Sequence, residues 1–260
     1  MRVTAVINLK GGVGKTTTVL NMAAILAKDY KARVLLIDAD SQCNATEFCR
    51  ADPEAGNLAT LLRAAKAAQE PAELAINAIQ PSSVLEGVDV LAGSDELMDL
   101  DLTKAGSGDV ALDIIRVLAE ELAVRDSYDY ILIDCPPAFN AASAAALIAA
   151  DDAVIPIKLD AFALRGMANV RRQIDNMRRI NPRLRVSGFL PTMWYRSGQI
   201  AAAEATLQDS GLPIYRHIRR SAKVDDTTFA QEALISYSRS SGAAIDYRRF
   251  MAQYVEGGAR

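Results

Sequence analysis

The chain is poor in the groups that bind transition metals or form covalent staples. In 260 residues it has a single histidine, His217, and three cysteines, Cys43, Cys49 and Cys135, none of them in a C-x-x-C pair. An odd, scattered set builds neither a zinc site nor a disulfide framework. Cluster-based electron transfer, which needs matched cysteine ligands, goes with them. Long apolar runs are missing too. Half of the residues are hydrophobic, yet no stretch reaches the ~18 needed to cross a bilayer. No charged and apolar leader precedes the first strand-like segment, so a cytosolic protein is expected. Repeats, low-complexity tracts and internal linkers are absent, and a chain this long buries a large core as one unit. Residues 1–260 are therefore expected to form one domain.

Net charge is −3, a small figure that hides an imbalance. Residues 160–260 hold fifteen Arg and one Lys against nine acids, a balance of +7, while residues 1–159 carry −10. An arginine-rich last third can present a basic face to a polyanion, or it can simply line solvated helices.

Residues 3–18, VTAVINLKGGVGKTTT, organise the rest. Val3, Ala5, Val6 and Ile7 read as a buried strand, and Leu20, Ala23, Ala24 and Ala27 fall at helical spacing. Between them lie Lys10, Gly11, Gly12, Val13, Gly14, Lys15, Thr16 and Thr17. Strand, Gly-rich turn, Lys-Thr and helix is the layout of a phosphate-binding loop. Glycines let the backbone wrap a polyphosphate, and the helix N-terminus supplies partial positive charge. In that layout Lys15 reaches the β- and γ-phosphates and the Thr16 hydroxyl ligates Mg²⁺. The pattern's first glycine is Leu9 here, and a second lysine, Lys10, opens the loop. A dinucleotide fingerprint on Gly12 and Gly14, with Asp38 as its acid, would need a small residue at Thr17 and leave Lys15 and Thr16 without a role.

Two further strands end in acids. RVLLID (33–38) runs into Asp38-Ala39-Asp40-Ser41-Gln42-Cys43-Asn44-Ala45-Thr46, and YDYILIDCPP (128–137) closes on Asp134 before Pro136 and Pro137. Acids at parallel strand tips beside a phosphate loop suit Mg²⁺ and a hydrolytic water. Asp134 has the Walker B position. More strands are expected at 88–91, 151–157, 186–190 and 213–218. Helices are expected after Gly106-Ser107-Gly108, over 162–180 with Leu164, Met167, Val170, Ile174 and Met177 inward, and near 199–209 and 243–255. Pro53, Pro71 and Pro81 should break a run of short helices. The alternation predicts an α/β P-loop NTPase fold, with a mostly parallel twisted sheet covered by helices on both faces.

The KGGVGKTT loop, the D-x-D-x-Q-x-N-A-T stretch and the D-x-P-P turn together resemble the ParA/MinD family of dimeric ATPases with a deviant phosphate loop. Ser41 and Cys43 stand where family members often have Pro and Gly. The resemblance covers nearly the whole chain and weakens beyond residue 190. It implies that ATP and Mg²⁺ are the cofactors and that the ATP-bound form is a homodimer. Lys10 then reaches the partner's nucleotide and Thr17 contacts the α-phosphate. Asp40 orients or activates the attacking water, and Asp38 supports the metal shell with Thr16 and Asp134. Lys10, Lys15 and Asp40 are thus the catalytic candidates.

The resemblance further implies a ParA-type partition ATPase, nucleoid-associated, that binds DNA without sequence preference and answers to a ParB-type partner. Arg196, Arg216, Arg219, Arg220 and Lys223 are the DNA-binding candidates. With the loop starting at residue 10, no N-terminal helix-turn-helix is expected. The competing reading is a MinD-like positioning ATPase at a membrane, with residues 243–255 and Arg248 and Arg249 as an amphipathic anchor. A third is a nucleotide-dependent scaffold without turnover, against which Lys15, Asp40 and Asp134 argue.

Overall fold

The computed structural model describes residues 1–64, 69–100, 102, 110–160, 163–209 and 211–257. Seven strands form one sheet: β1 (Arg2–Val6), β2 (Val34–Asp38), β3 (Gln80–Pro81), β4 (Val88–Leu91), β5 (Tyr130–Asp134), β6 (Asp152–Lys158) and β7 (Arg185–Thr192). Their spatial order is β3-β4-β2-β5-β1-β6-β7, and every pairing is parallel except β3 with β4. The helices are α1 (Lys15–Asp29), α2 (Asn44–Cys49), α3 (Leu58–Ala64), α4 (Pro71–Asn77), α5 (Ile114–Val124), α6 (Ala141–Ala149), α7 (Ala163–Met177), α8 (Gly198–Asp209), α9 (Ala222–Ala230), α10 (Leu234–Tyr237) and α11 (Gly242–Val255).

Parallel strands covered on both faces have no solvent side, so they read as continuous apolar runs. Pleating then divides each run between two cores. Val3, Ala5, Leu35, Ile37, Ile131 and Ile133 meet the helices α5, α6 and α7 on one face. Val6, Val34, Leu36 and Leu132 meet α1 and α11 on the other. The α6 sequence AASAAALIA is buried throughout, because side chains this small let a helix lie close to the strands.

The base of the sheet is fastened to α11. Arg2 donates through Nε to Asp152 (2.7 Å) and through Nη1 to the Tyr254 carbonyl (2.9 Å), with its guanidinium over the Tyr254 ring. The Tyr254 and Thr4 hydroxyls are 2.6 Å apart. Phe250, Met251 and Tyr254 are fully buried.

Three details differ from the pattern-based expectation. Residues 213–218 form no continuous strand: Ile214 makes an isolated parallel bridge to Phe189, and a second bridge, Trp194 with Arg219, lies just beyond the segment. Pro213 has no N–H to give, and the Arg216 N–H turns away to Gln253 Oε1 of α11. Pro81 sits in the edge strand β3, where a missing donor faces outward and costs little. Helices α9 and α10 were not legible: the residue α9 buries is Thr227, so it carries no apolar stripe, and α10 at four residues is too short to show a period. Gly106-Ser107-Gly108, Phe162, Gly258 and the Leu164 side chain lie outside the described residues.

Candidate nucleotide-binding site

Sheet register gathers the site. Val6 and Asp38 each lie level with Asp134 on neighbouring strands, so three consecutive strands release the phosphate loop and both acids at one edge. This is the carboxyl edge of the sheet, where open α/β folds bind ligands.

The loop is pinned at both sides. The Asn8 side chain donates to the Pro156 carbonyl (2.7 Å) and accepts from the Lys10 N–H (3.0 Å). The Thr192 hydroxyl at the end of β7 donates to the Val13 carbonyl (2.8 Å). Gly12 and Gly14 have φ of +68° and +84°, which L side chains rarely adopt. Gly14 also caps α1 with no side chain, and the first turn carries no acid. The N–H groups and positive end of that helix are thus left for an anion from elsewhere.

Behind the loop stands a charged cluster. Lys15 is buried, 7% exposed; burial pushes its ammonium below the ordinary lysine value, against the pull of Asp134 and Asp40. Asp134 is fully buried, and neither carboxylate oxygen accepts a hydrogen bond of ordinary length. Burial, followed by the Asp38 charge, raises it well above the usual carboxylate range, while the Thr16 hydroxyl and Lys15 oppose.

Asp38 is also fully buried and pushed up to about 6 by burial. Its oxygens are occupied: Oδ1 accepts from the Asp40 N–H (3.1 Å), and Oδ2 from the Thr46 N–H (2.8 Å) and hydroxyl (2.7 Å). Asp40 is 6% exposed, and its Oδ1 accepts the Gln42 N–H (3.1 Å). Cys43 takes φ +53° in this loop, where a family glycine has no penalty.

A fully buried carboxylate whose oxygens accept no close hydrogen bond, with two more acids beside it, calls for a cation. Among the described residues no three His, Cys, Asp or Glu side chains form a cage. Mg²⁺ on a nucleotide needs none, because it takes one or two carboxylates plus phosphates and keeps its waters. Thr16 and Asp134 therefore fit it directly, and Asp38, already hydrogen-bonded, fits as a support to the loop.

The chain matches the family model described as AAA domain (AAA_31) over residues 1–186. It is 33% identical over 202 residues to the chromosome partitioning protein ParA of Caulobacter vibrioides, covering 77% of this chain and 73% of that one. The chain belongs to the ParA/MinD family. Within that family its fold is close to the apo McdA structure from Cyanothece, with TM-score 0.81, 24% identity and 99% of each chain covered. Cobyrinic acid a,c-diamide synthase from Mycobacterium smegmatis, solved with an ATP analogue and magnesium, superposes with TM-score 0.80 at 27% identity over 98% of this chain and 94% of that one.

The remaining candidates fall outside the cluster. Lys10 is at the rim, its ammonium paired with Asp160. Arg219 is tied down: Nε and Nη2 grip Asp246 at 2.6 and 2.8 Å, and its stem lies on Gly242 so closely that an added Cβ would meet it at 2.6 Å. Lys223 pairs with Asp226 (3.0 Å). Arg196, Arg216 and Arg220 are exposed. Thr46, the last residue of the D-x-D-x-Q-x-N-A-T stretch, completes the site together with Gly93, which had no sequence signal of its own. The Gly93 N–H donates to the Thr46 hydroxyl (2.8 Å), and an added Cβ would stand 2.9 Å from the Asp38 carbonyl oxygen.

Proposed function

We propose that this protein is a partition-type ATPase switch: it binds Mg-ATP, dimerises on it, holds DNA without regard to sequence, and resets by hydrolysing ATP to ADP and phosphate. The observation that carries the reading is the unpartnered, buried Asp134 carboxylate beside Lys15 and an uncapped, glycine-lined helix N-terminus. The Caulobacter relative is named a chromosome partitioning protein, and the mycobacterial neighbour holds an ATP analogue with magnesium.

In this reading the N–H groups of residues 11–17 cradle the phosphates. Lys15 meets the β- and γ-phosphates and Thr17 the α-phosphate. Thr16 and Asp134 hold Mg²⁺, which supplies positive charge against the β- and γ-oxygens. Asp40, kept in place by Asp38 and Gln42, orients the water for in-line attack. Lys10 exchanges Asp160 for the phosphates bound to the second copy. Developing charge is met by fixed donors in a dry site, where they act most strongly. The whole chain works as one ATPase domain in the cytosol, on nucleoid DNA, and a ParB-type partner triggers release.

The basic last third supplies the DNA face, with Arg196, Arg216 and Arg220 the exposed candidates. A membrane role is less well supported. Among the described residues no helix is long and apolar enough to cross a bilayer, and the apolar side of α11 is packed into the core.

The test is retention on non-specific DNA with ADP, with ATP, and with ATP plus Asp40→Ala. Expected are ATP-dependent retention, stronger in the variant, and turnover lowered about 10²-fold or more. DNA retention that ignores the nucleotide would overturn the switch.

A further inference from the structure

Beyond Gly14 and Thr17 the phosphate loop opens into a cavity of about 320 Å³, walled on one side by Thr192, Met193, Tyr195 and Arg220. Thr192, Met193 and Tyr195 belong to the segment leaving β7, and Arg220 comes from the stretch before α9. Met193 takes φ +52° there, a conformation that persists only where the surroundings over-determine it. The surroundings do so in two ways. The backbone is bonded on both sides of the turn: before it the Pro191 carbonyl accepts the Ile218 N–H (2.7 Å), and after it the Trp194 N–H donates to the Ile218 carbonyl (2.9 Å) while the Trp194 carbonyl accepts the Arg220 N–H (2.7 Å). The Trp194 indole then lies flat on the His217 ring, with centroids 4.0 Å apart and planes 2° from parallel.

One carboxylate joins the two rings. Glu204, on α8, accepts the Trp194 Nε1–H at Oε2 (3.0 Å), and its Oε1 lies 2.9 Å from His217 Nδ1. The Glu204 side chain is four-fifths buried. The chain has one tryptophan and one histidine; they stack on each other and both meet this carboxylate, one residue away from positions that line the cavity.

We propose that Glu204 is a positioning residue for nucleotide recognition. By clamping Trp194 onto His217 it fixes the Met193–Tyr195 wall, against which the nucleoside half of a nucleoside triphosphate seats while the loop holds the phosphates. This rests on the ATP-site reading above.

Glu204→Ala removes the clamp. Glu204→Gln keeps it, since the amide carbonyl accepts from the indole and the amide N–H donates to His217 Nδ1. The probes are a non-hydrolysable ATP analogue and inorganic tripolyphosphate, each with Mg²⁺, titrated calorimetrically into the full chain. Glu204→Ala is expected to weaken the analogue about tenfold or more and to leave tripolyphosphate within about twofold, with Glu204→Gln near the parent for both. In turnover the change falls on KM, with kcat at saturation unaltered. Trp194 emission in the unsubstituted protein shifts with the analogue and not with tripolyphosphate. Analogue binding in Glu204→Ala equal to the parent's, parallel loss of tripolyphosphate, or silent Trp194 emission would each overturn the proposal. A parent that binds neither probe would instead remove the ATP-site reading, and this proposal with it.

Discussion

Thr46 donates twice to one oxygen of Asp38, from its backbone and from its hydroxyl, and the same hydroxyl accepts the Gly93 N–H. Replacing it by valine keeps the shape and leaves a buried carboxylate short of a donor and a buried N–H short of an acceptor. Thr46→Val is expected to lower stability by about 1–3 kcal/mol, read from urea unfolding, and to slow turnover, since the Asp38 oxygen bound to the Asp40 N–H is then less firmly placed. At this scale the sequence revealed the residues whose chemistry admits few substitutes. Lys15, Thr16 and Asp134 followed from the loop pattern and a strand-end acid. The Asp38–Thr46–Gly93 contact was hidden, because the end of β2, helix α2 and the turn after β4 must come together before those groups meet. The pairing of Arg219 was hidden for the same reason: its charge is visible in sequence, and the Asp246 that holds it is on α11, far along the chain.

The strands were legible as elements, since a parallel strand buried on both faces must be apolar along its length. The 213–218 segment was not, because its alternation is that of a strand while its hydrogen bonds go partly to α11. One link between elements is titratable. Arg33, next to the start of β2, binds Asp129, next to the start of β5, through Nη2 (2.9 Å) and its own N–H (2.8 Å). These bonds hold the Asp129 carboxyl down to about 2, below the ~3.9 of an unfolded chain. A carboxylate depressed in the folded state adds stability that is complete above about pH 4 and lost as pH falls through about 2. Arg33→Gln should therefore melt below the parent at about pH 5, and the gap should close towards pH 2. A gap constant with pH would show that the pair contributes nothing through ionisation.

Over the whole molecule, the +7 balance of residues 160–260 has a measurable signature. Each phosphate contact steepens the dependence of log affinity on log salt by about 0.9. Neutralising Arg196, Arg216 and Arg220 together should flatten the DNA-binding slope by up to about 3 per protomer and leave the melting temperature close to the parent's. Arg219→Ala should do the reverse. It strips the buried Asp246 carboxylate of the guanidinium and leaves it the residue-219 N–H, lowering stability by about 1–3 kcal/mol, with little change in slope. An unchanged slope in the triple variant would place the DNA face elsewhere.

Strand order also sets a timetable. β1 lies between β5 and β6, and its Arg2 is level with Tyr130, so this inner strand is synthesised before either neighbour and finds the first of them about 130 residues later. At ribosomal speeds of about 5–20 residues per second, that is a wait on the order of ten seconds. During it, β1 and β2 are two sticky apolar ribbons with the strand between them still to be made. The nascent chain therefore depends on shielding at the ribosome, and any pause placed before residue 130 lengthens its most aggregation-prone interval.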